Sequence, residues 1–169
     1  MSELENKMVC LYFSKNSDEN CQRFNPLLRK TYNELKLMGK DFEVVLISQD
    51  LSETQFREGF RTMPWLALPF KHKACAKLVR CYDLRILPTL VILGPNREIV
   101  IPNAVGIIED HGSSAYPFSS EKLTQLDKQL REAQTLKYLL GSEDKDYVMD
   151  HFGLTVSNKT KHTHALVKN

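Results

Sequence analysis

Apolar residues along this chain fall into two patterns: short unbroken runs, and stripes that recur at three- and four-residue steps. After a polar lead-in over Ser2–Lys7, read as the end of a helix, Met8-Val-Cys-Leu-Tyr-Phe13 is an unbroken run of the length of one buried strand. Phe24, Leu27, Leu28, Tyr32 and Leu35 then share one helical face, which predicts a helix from Asp18 or Glu19 to Met38, stopped by Gly39. Phe42-Glu-Val-Val-Leu-Ile-Ser48 is rich in β-branched residues, and its continuous apolarity suits a central strand covered on both faces. Leu51–Thr62 reads as a helix with Ser52 as N-cap and Phe56 and Phe60 four residues apart.

Met63-Pro-Trp-Leu-Ala-Leu-Pro-Phe70 is apolar but bracketed by prolines, so it is read as irregular, with Trp65 packing into or beside the core. A short helix follows at Ala74–Tyr82 with Leu78 and Val79, then a strand at Thr89–Leu93, a turn at Gly94–Arg97 and an antiparallel partner at Glu98–Ile101. Asn103–Phe118, with Gly106, Gly112 and Pro117, reads as loop. A last long helix starts near Ser119, where Ser120 and Glu121 favour an N-terminus. Its apolar stripe is Leu123, Leu126, Leu130, Ala133, Leu136 and Leu140, and Gly141 ends it. Asp146–Val156 has the pattern of a β-hairpin, with Tyr147–Met149 and Leu154–Val156 around a turn at 150–153. The alternation of strands and helices argues an α/β fold with a central mixed β-sheet flanked by helices. The expected organisation is a domain over 1–140, a hairpin over 141–156 that completes this sheet or opens a following module, and a disordered basic tail over 157–169.

Composition changes this picture little. With 169 residues, 42% hydrophobic and 26% charged, the chain suits one soluble domain that needs neither metal nor disulfide staples. The net charge of +2 is too small to argue for nucleic acid, and three lysines at 159, 161 and 168 follow Ser157 with no acid among them. No apolar run approaches the length of about eighteen residues that reads as a membrane span, and no signal peptide opens the chain. Neither membrane nor nucleic acid is therefore an expected partner. There is no phosphate-binding glycine loop, and nothing calls for a cofactor.

Candidate chemistry concentrates in one place. The strand ending at Phe13 passes into the first helix through a polar turn that carries Cys21, and helix N-terminal amides stabilise an anion at such a turn. The other cysteines suggest structure: Cys10 lies in a strand, and Cys75 and Cys81, six apart, sit about 240° apart on a helix. The four show no C-x-x-C pair and no zinc spacing, which reads as reduced thiols in a cytoplasmic or nuclear protein. His162 and His164 lie in the tail, and His111 beside Asp110 has no nucleophile predicted near it for a triad.

Tyr12-Phe13-Ser14, the strand Phe42–Ser48, the string Met63–Phe70, Leu87-Pro-Thr-Leu-Val-Ile-Leu-Gly-Pro95 and Ala115-Tyr-Pro-Phe118 resemble, in order, the tryparedoxin and nucleoredoxin branch of the thioredoxin superfamily. Glu109-Asp-His-Gly112 and Glu132-Ala-Gln-Thr-Leu136 are most similar to the central module of a plant nucleoredoxin. The resemblance implies a thioredoxin-like fold in a protein-disulfide reductase family, with client proteins or neighbouring thioredoxin-like modules as partners. Redox-active members carry Trp-Cys-x-x-Cys after the Tyr-Phe-Ser strand end and two further residues. Counted onto this chain, the tryptophan position is Ser17, the first cysteine position Asp18, the middle pair Glu19 and Asn20, and the second cysteine Cys21.

That first cysteine attacks as a thiolate, favoured by the helix N-terminus, and the second resolves the mixed disulfide. Asp18 caps the helix but cannot exchange with a disulfide, and Glu19 disfavours a thiolate at Cys21. The resemblance thus implies a degenerate site with no assigned catalytic residue. It also places Pro88 in a cis-proline loop, which leaves the Leu87 backbone free to pair with an extended peptide, with Trp65 as a further contact. Two alternatives stay open: a weak one-thiol oxidoreductase acting through Cys21, alone or with Cys75, and an interaction domain unrelated to redox chemistry.

Overall fold

The computed structural model describes residues 2–140, 147–149 and 155–157. The chain divides into two compact units, Met1–Leu123 and Thr124–Asn169.

In the first unit, the apolar run at the start forms β1 (Met8–Ser14), and all seven residues are buried. Alternate residues of a strand face opposite ways, so a strand buried throughout must be covered on both sides. β2 (Phe42–Ser48) runs parallel to β1 in the register Met8↔Phe42 through Ser14↔Ser48. β4 (Thr89–Leu93) lies antiparallel on the other side of β1, and β5 (Ile99–Ile101) is antiparallel to β4. β3 (Leu66–Ala67) adds a short parallel edge beside β2, giving the order β3-β2-β1-β4-β5. This is the mixed sheet that the sequence and its resemblance imply.

The two faces are packed by different helices. Cys10 and Tyr12 lie on the side of α1 (Glu19–Leu37), whose buried Phe24, Leu28, Tyr32 and Leu35 are the predicted stripe less Leu27, which is exposed. Tyr12 meets Phe24 at 5.8 Å between ring centroids. Val9, Leu11, Phe13, Val45, Ile47, Val91 and Leu93 form the opposite layer, against Cys75, Leu78, Val79 and Tyr82 of α3 (Lys73–Cys81) and its C-cap. Each fully buried large side chain stabilises the fold by about 1.5–3 kcal/mol. Between them in sequence, α2 (Glu53–Phe60) starts as predicted, its Gln55 N–H donating to the Ser52 hydroxyl at 3.3 Å.

Four features depart from the sequence reading or were not part of it. Asn103–Phe118 is not a loop: it contains α4 (Val105–His111) and a 3₁₀ turn at Gly112–Ala115. Burial drives this, since Ala104, Ile108, Ala115 and Phe118 are each at most 2% exposed. Met63–Phe70 is irregular at its prolines but supplies β3 between them. Glu43 is buried within β2, where its carboxylate accepts from the Tyr32 hydroxyl and Lys36 Nζ, both at 3.0 Å, and from the Val44 N–H at 3.1 Å. Finally, the stripe of α5 (Ser120–Leu140) fades along the helix. Leu123, Leu126 and Leu130 are half-buried, but Ala133, Leu136 and Leu140 are exposed.

In the second unit, β6 (Tyr147–Met149) pairs antiparallel with β7 (Thr155–Ser157) as a two-stranded sheet. Gly141, the expected hairpin turn at 150–153, His162, His164 and the expected tail over 157–169, except for Ser157 at the end of β7, lie outside the described residues.

Candidate functional site

The turn from β1 to α1 is held by a tight set of hydrogen bonds. Asp18 keeps an extended backbone, φ −86° and ψ 125°, while its carbonyl already accepts from the Gln22 N–H at 3.0 Å. Its carboxylate accepts from the Cys21 N–H at 2.9 Å, satisfying one of the donors that a helix start leaves open. The turn is also fastened to the end of β2. The Asn16 N–H donates to Asp50 Oδ1 at 2.7 Å, and the Ser48 hydroxyl donates to Asp50 Oδ2 at 2.7 Å. Gln22 Nε2 closes the loop by donating to the Asn16 carbonyl at 2.8 Å.

The thiol in this turn is hidden. Cys21 is 0% exposed, and its pKa is raised. Burial is the largest cause; hydrogen bonds from the Lys15 backbone and Ser14 oppose it, and the Asp18 carboxylate pushes the same way as burial. Beneath it Tyr12 donates to Asn25 Oδ1, and burial carries its phenol well above the ordinary range. Cys10 is wholly buried, with burial and then Glu43 raising its pKa; burial also raises that of Cys75. Cys81 is exposed, and all four thiols are free. Ser17, Glu19 and Asn20 are exposed around the turn, with Asn20 Oδ1 accepting from the Arg23 guanidinium at 2.5 Å.

The Leu87–Pro88 peptide bond is cis, as the resemblance implies; Tyr116–Pro117, for which no cis bond was expected, is cis too. Around this segment the Thr89 hydroxyl donates to the Ile86 carbonyl at 2.8 Å, and Asn103 Oδ1 accepts from the Leu90 and Val105 N–H groups at 3.3 and 3.2 Å. A groove of about 530 Å³ brings Asn20 of the turn together with Leu87 and Pro88, walled by Arg23, Ile86 and Glu109. Trp65 is not brought there. It is 4% exposed in the core, edge-on to Tyr12 at 6.0 Å and to Tyr32 at 5.7 Å, which leaves its side chain little surface for a ligand.

Arg23 and Glu109 are the charged groove residues that sequence reasoning missed. Arg23 carries a local signal, its position one turn after Asn20, whereas Glu109 enters only through α4. Among the described residues no cluster of His, Cys, Asp and Glu is placed to hold a metal, and no helix is long and apolar enough to cross a membrane.

Residues 6–99 match the family described as thioredoxin-like. The chain is 46% identical over 159 residues to probable nucleoredoxin 1 of Arabidopsis thaliana, covering 92% of this chain and 28% of that protein. To probable nucleoredoxin 2 of Oryza sativa subsp. japonica it is 40% identical over 152 residues, covering 88% and 39%. The chain thus spans well under half the length of these relatives. Among solved structures it is similar to tryparedoxin from Trypanosoma brucei, with 34% identity, a TM-score of 0.64 and coverage of 70% of this chain and 84% of that one. Tryparedoxin II from C. fasciculata gives 31% identity, a TM-score of 0.64 and coverage of 71% and 84%.

Proposed function

The chain belongs to the thioredoxin-like family, as a nucleoredoxin-like module, and from that premise we propose that it has lost the catalytic dithiol and serves client recognition or architecture in a protein-disulfide reductase. In this reading residues 1–140 of this chain form the module, which is a central one in a plant nucleoredoxin-type protein of the cytoplasm or nucleus. Neighbouring modules perform the reduction, and the hairpin at 141–156 either completes this sheet or opens a following module.

The observation that carries the proposal is Asp18. It occupies the N-cap from which an attacking thiol would start, and it is engaged there with the Cys21 N–H. A carboxylate at this point satisfies the helix start but cannot form a mixed disulfide. The groove beside it still offers Leu87 next to the cis-proline, where an extended client strand can pair with the backbone. The competing reading, one-thiol chemistry at Cys21, has complete burial and a raised pKa against it.

Dithiothreitol-driven insulin reduction tests the proposal. The full chain is expected to run at the uncatalysed rate; turnover like that of an active thioredoxin, abolished by Cys21→Ser, overturns it. Mass spectrometry after glutathione disulfide treatment tests the competing reading, which requires an adduct or an intramolecular bond at Cys21.

A further inference from the structure

Between Gly59 and Tyr82 the chain carries five lysines and arginines and no acid, more positive charge than the net +2 of the whole chain. Three of the five sit on α3. Lys73, Lys77 and Arg80 follow at the i, i+4 and i+7 spacing of one helical face, and all three are exposed. The opposite face, with Cys75, Leu78 and Val79, is turned onto the sheet. None of the three cations is ion-paired among the described residues, and Asp83, the first acid after the helix, is bridged by Arg85 at 2.8 Å.

An aromatic surface begins where this stripe ends. Phe56 stacks on Phe60 at 5.7 Å and on Phe70 at 5.9 Å, and Lys71 stands over Phe70 at 5.3 Å. All three rings are half-buried. Phe70 lies two residues before His72, the N-cap of α3, so the rings stand at the amino end of the cationic face.

We propose that the outer face of α3 is a docking surface for an acidic peptide segment carrying an aromatic or large apolar residue. The carboxylates would lie along Lys73, Lys77 and Arg80, and the apolar side chain would rest against Phe70. Charge complementarity selects an anionic partner, and the footprint selects a peptide. From Lys73 to Arg80 the helix rises about 10 Å, the reach of roughly three extended residues. Nucleic-acid binding that falls steeply with salt draws on about six to ten phosphate contacts, more than this face supplies.

Fluorescence anisotropy on the full chain tests the proposal with three labelled probes: an octapeptide alternating glutamate and phenylalanine, its glutamine-for-glutamate counterpart, and a twelve-residue single-stranded oligothymidylate. The glutamate peptide is expected to bind best, to weaken as salt rises, and to lose about tenfold in affinity in a K73E/K77E/R80E variant. Phe70→Ser should weaken it with the salt dependence kept. The three reversed residues are exposed, and an unchanged circular dichroism melt would show the variant folded. A variant that binds the glutamate peptide as well as the parent, no detectable binding of that peptide, or tighter binding of the oligothymidylate would each overturn the proposal.

Discussion

The carboxylate of Asp18 accepts a hydrogen bond from the Cys21 N–H at 2.9 Å, so the residue that closes the helix start holds the turn's thiol-bearing residue by its backbone. The thiol itself points into the fold and is fully buried. Structure at this turn is therefore kept by a group that cannot perform disulfide exchange.

Removing that carboxylate should cost stability. Asp18→Ala is expected to lower the unfolding free energy by about 1 kcal/mol, within a range of roughly 0.5–2. Asp18→Ser should stay within a few tenths, because serine also accepts from the helix N–H groups. Urea titrations of the three proteins check this, and equal midpoints for Asp18→Ala and the parent would show that the cap contributes nothing.

The thiols should label in the order of their exposure. Iodoacetamide at neutral pH is expected to modify Cys81 first, Cys75 more slowly, and Cys21 and Cys10 last, as followed by peptide mass spectrometry. Because the Cys21 pKa is raised, its thiolate fraction at neutral pH is below that of an ordinary thiol, and its labelling should still be rising at alkaline pH. Labelling of Cys21 faster than Cys81 would contradict the buried geometry.

Alkaline pH should destabilise the fold. Burial raises the phenols of Tyr12 and Tyr32 above their ordinary value of 10.0, with Glu43 adding to the effect at Tyr32. The buried thiols of Cys10 and Cys21 are raised above 9.0 in the same way. A group whose folded pKa is raised contributes stability that is complete below its unfolded pKa and is lost as pH climbs toward the folded one. Stability should thus hold to just below pH 9 and then fall by up to about 1.4 kcal/mol per pH unit for each such group. Chemical denaturation from pH 8 to 11 measures the slope. Tyr12→Phe should make it shallower, and an unchanged stability at pH 11 would refute the assignment.

Glu43 should be sensitive to either partner. Tyr32→Phe is expected to cost about 1.5–3 kcal/mol, the range for a hydrogen bond to a charged group. For Lys36→Met we expect about 1–3 kcal/mol, below the full cost of breaking a buried pair because the Lys36 side chain is 34% exposed. Thermal melts of both variants check the pair, and a neutral Lys36→Met would remove the ion pair from the account.

Elements whose signal is local were legible in the sequence. β1 and β2 declare themselves as unbroken apolar runs, and Ser52 and Asp18 mark helix starts by their own chemistry. α4 was not legible: it has seven residues, includes Gly106, and lacks a side-chain cap, so only the burial of Ile108 and its neighbours supports it. β3 is two residues long between prolines and exists because β2 offers it an edge. The candidate site divides in the same way. Asp18, Cys21 and Pro88 were found by spacing and resemblance, while Arg23 and Glu109 reach the groove only through tertiary packing. Trp65 lies in the core, as its apolar string suggests, and not in the groove, where the resemblance made it a further contact.

The most direct test restores what the turn lacks. Asp18→Cys places a thiol three residues ahead of Cys21, recreating the C-x-x-C spacing at the same helix start. Insulin reduction by this variant and by the parent chain should be measured side by side with dithiothreitol as reductant. The parent is expected to run at the uncatalysed rate and Asp18→Cys to show clear catalysis, lost again in the Asp18→Cys/Cys21→Ser double variant. A parent chain as fast as Asp18→Cys would contradict it.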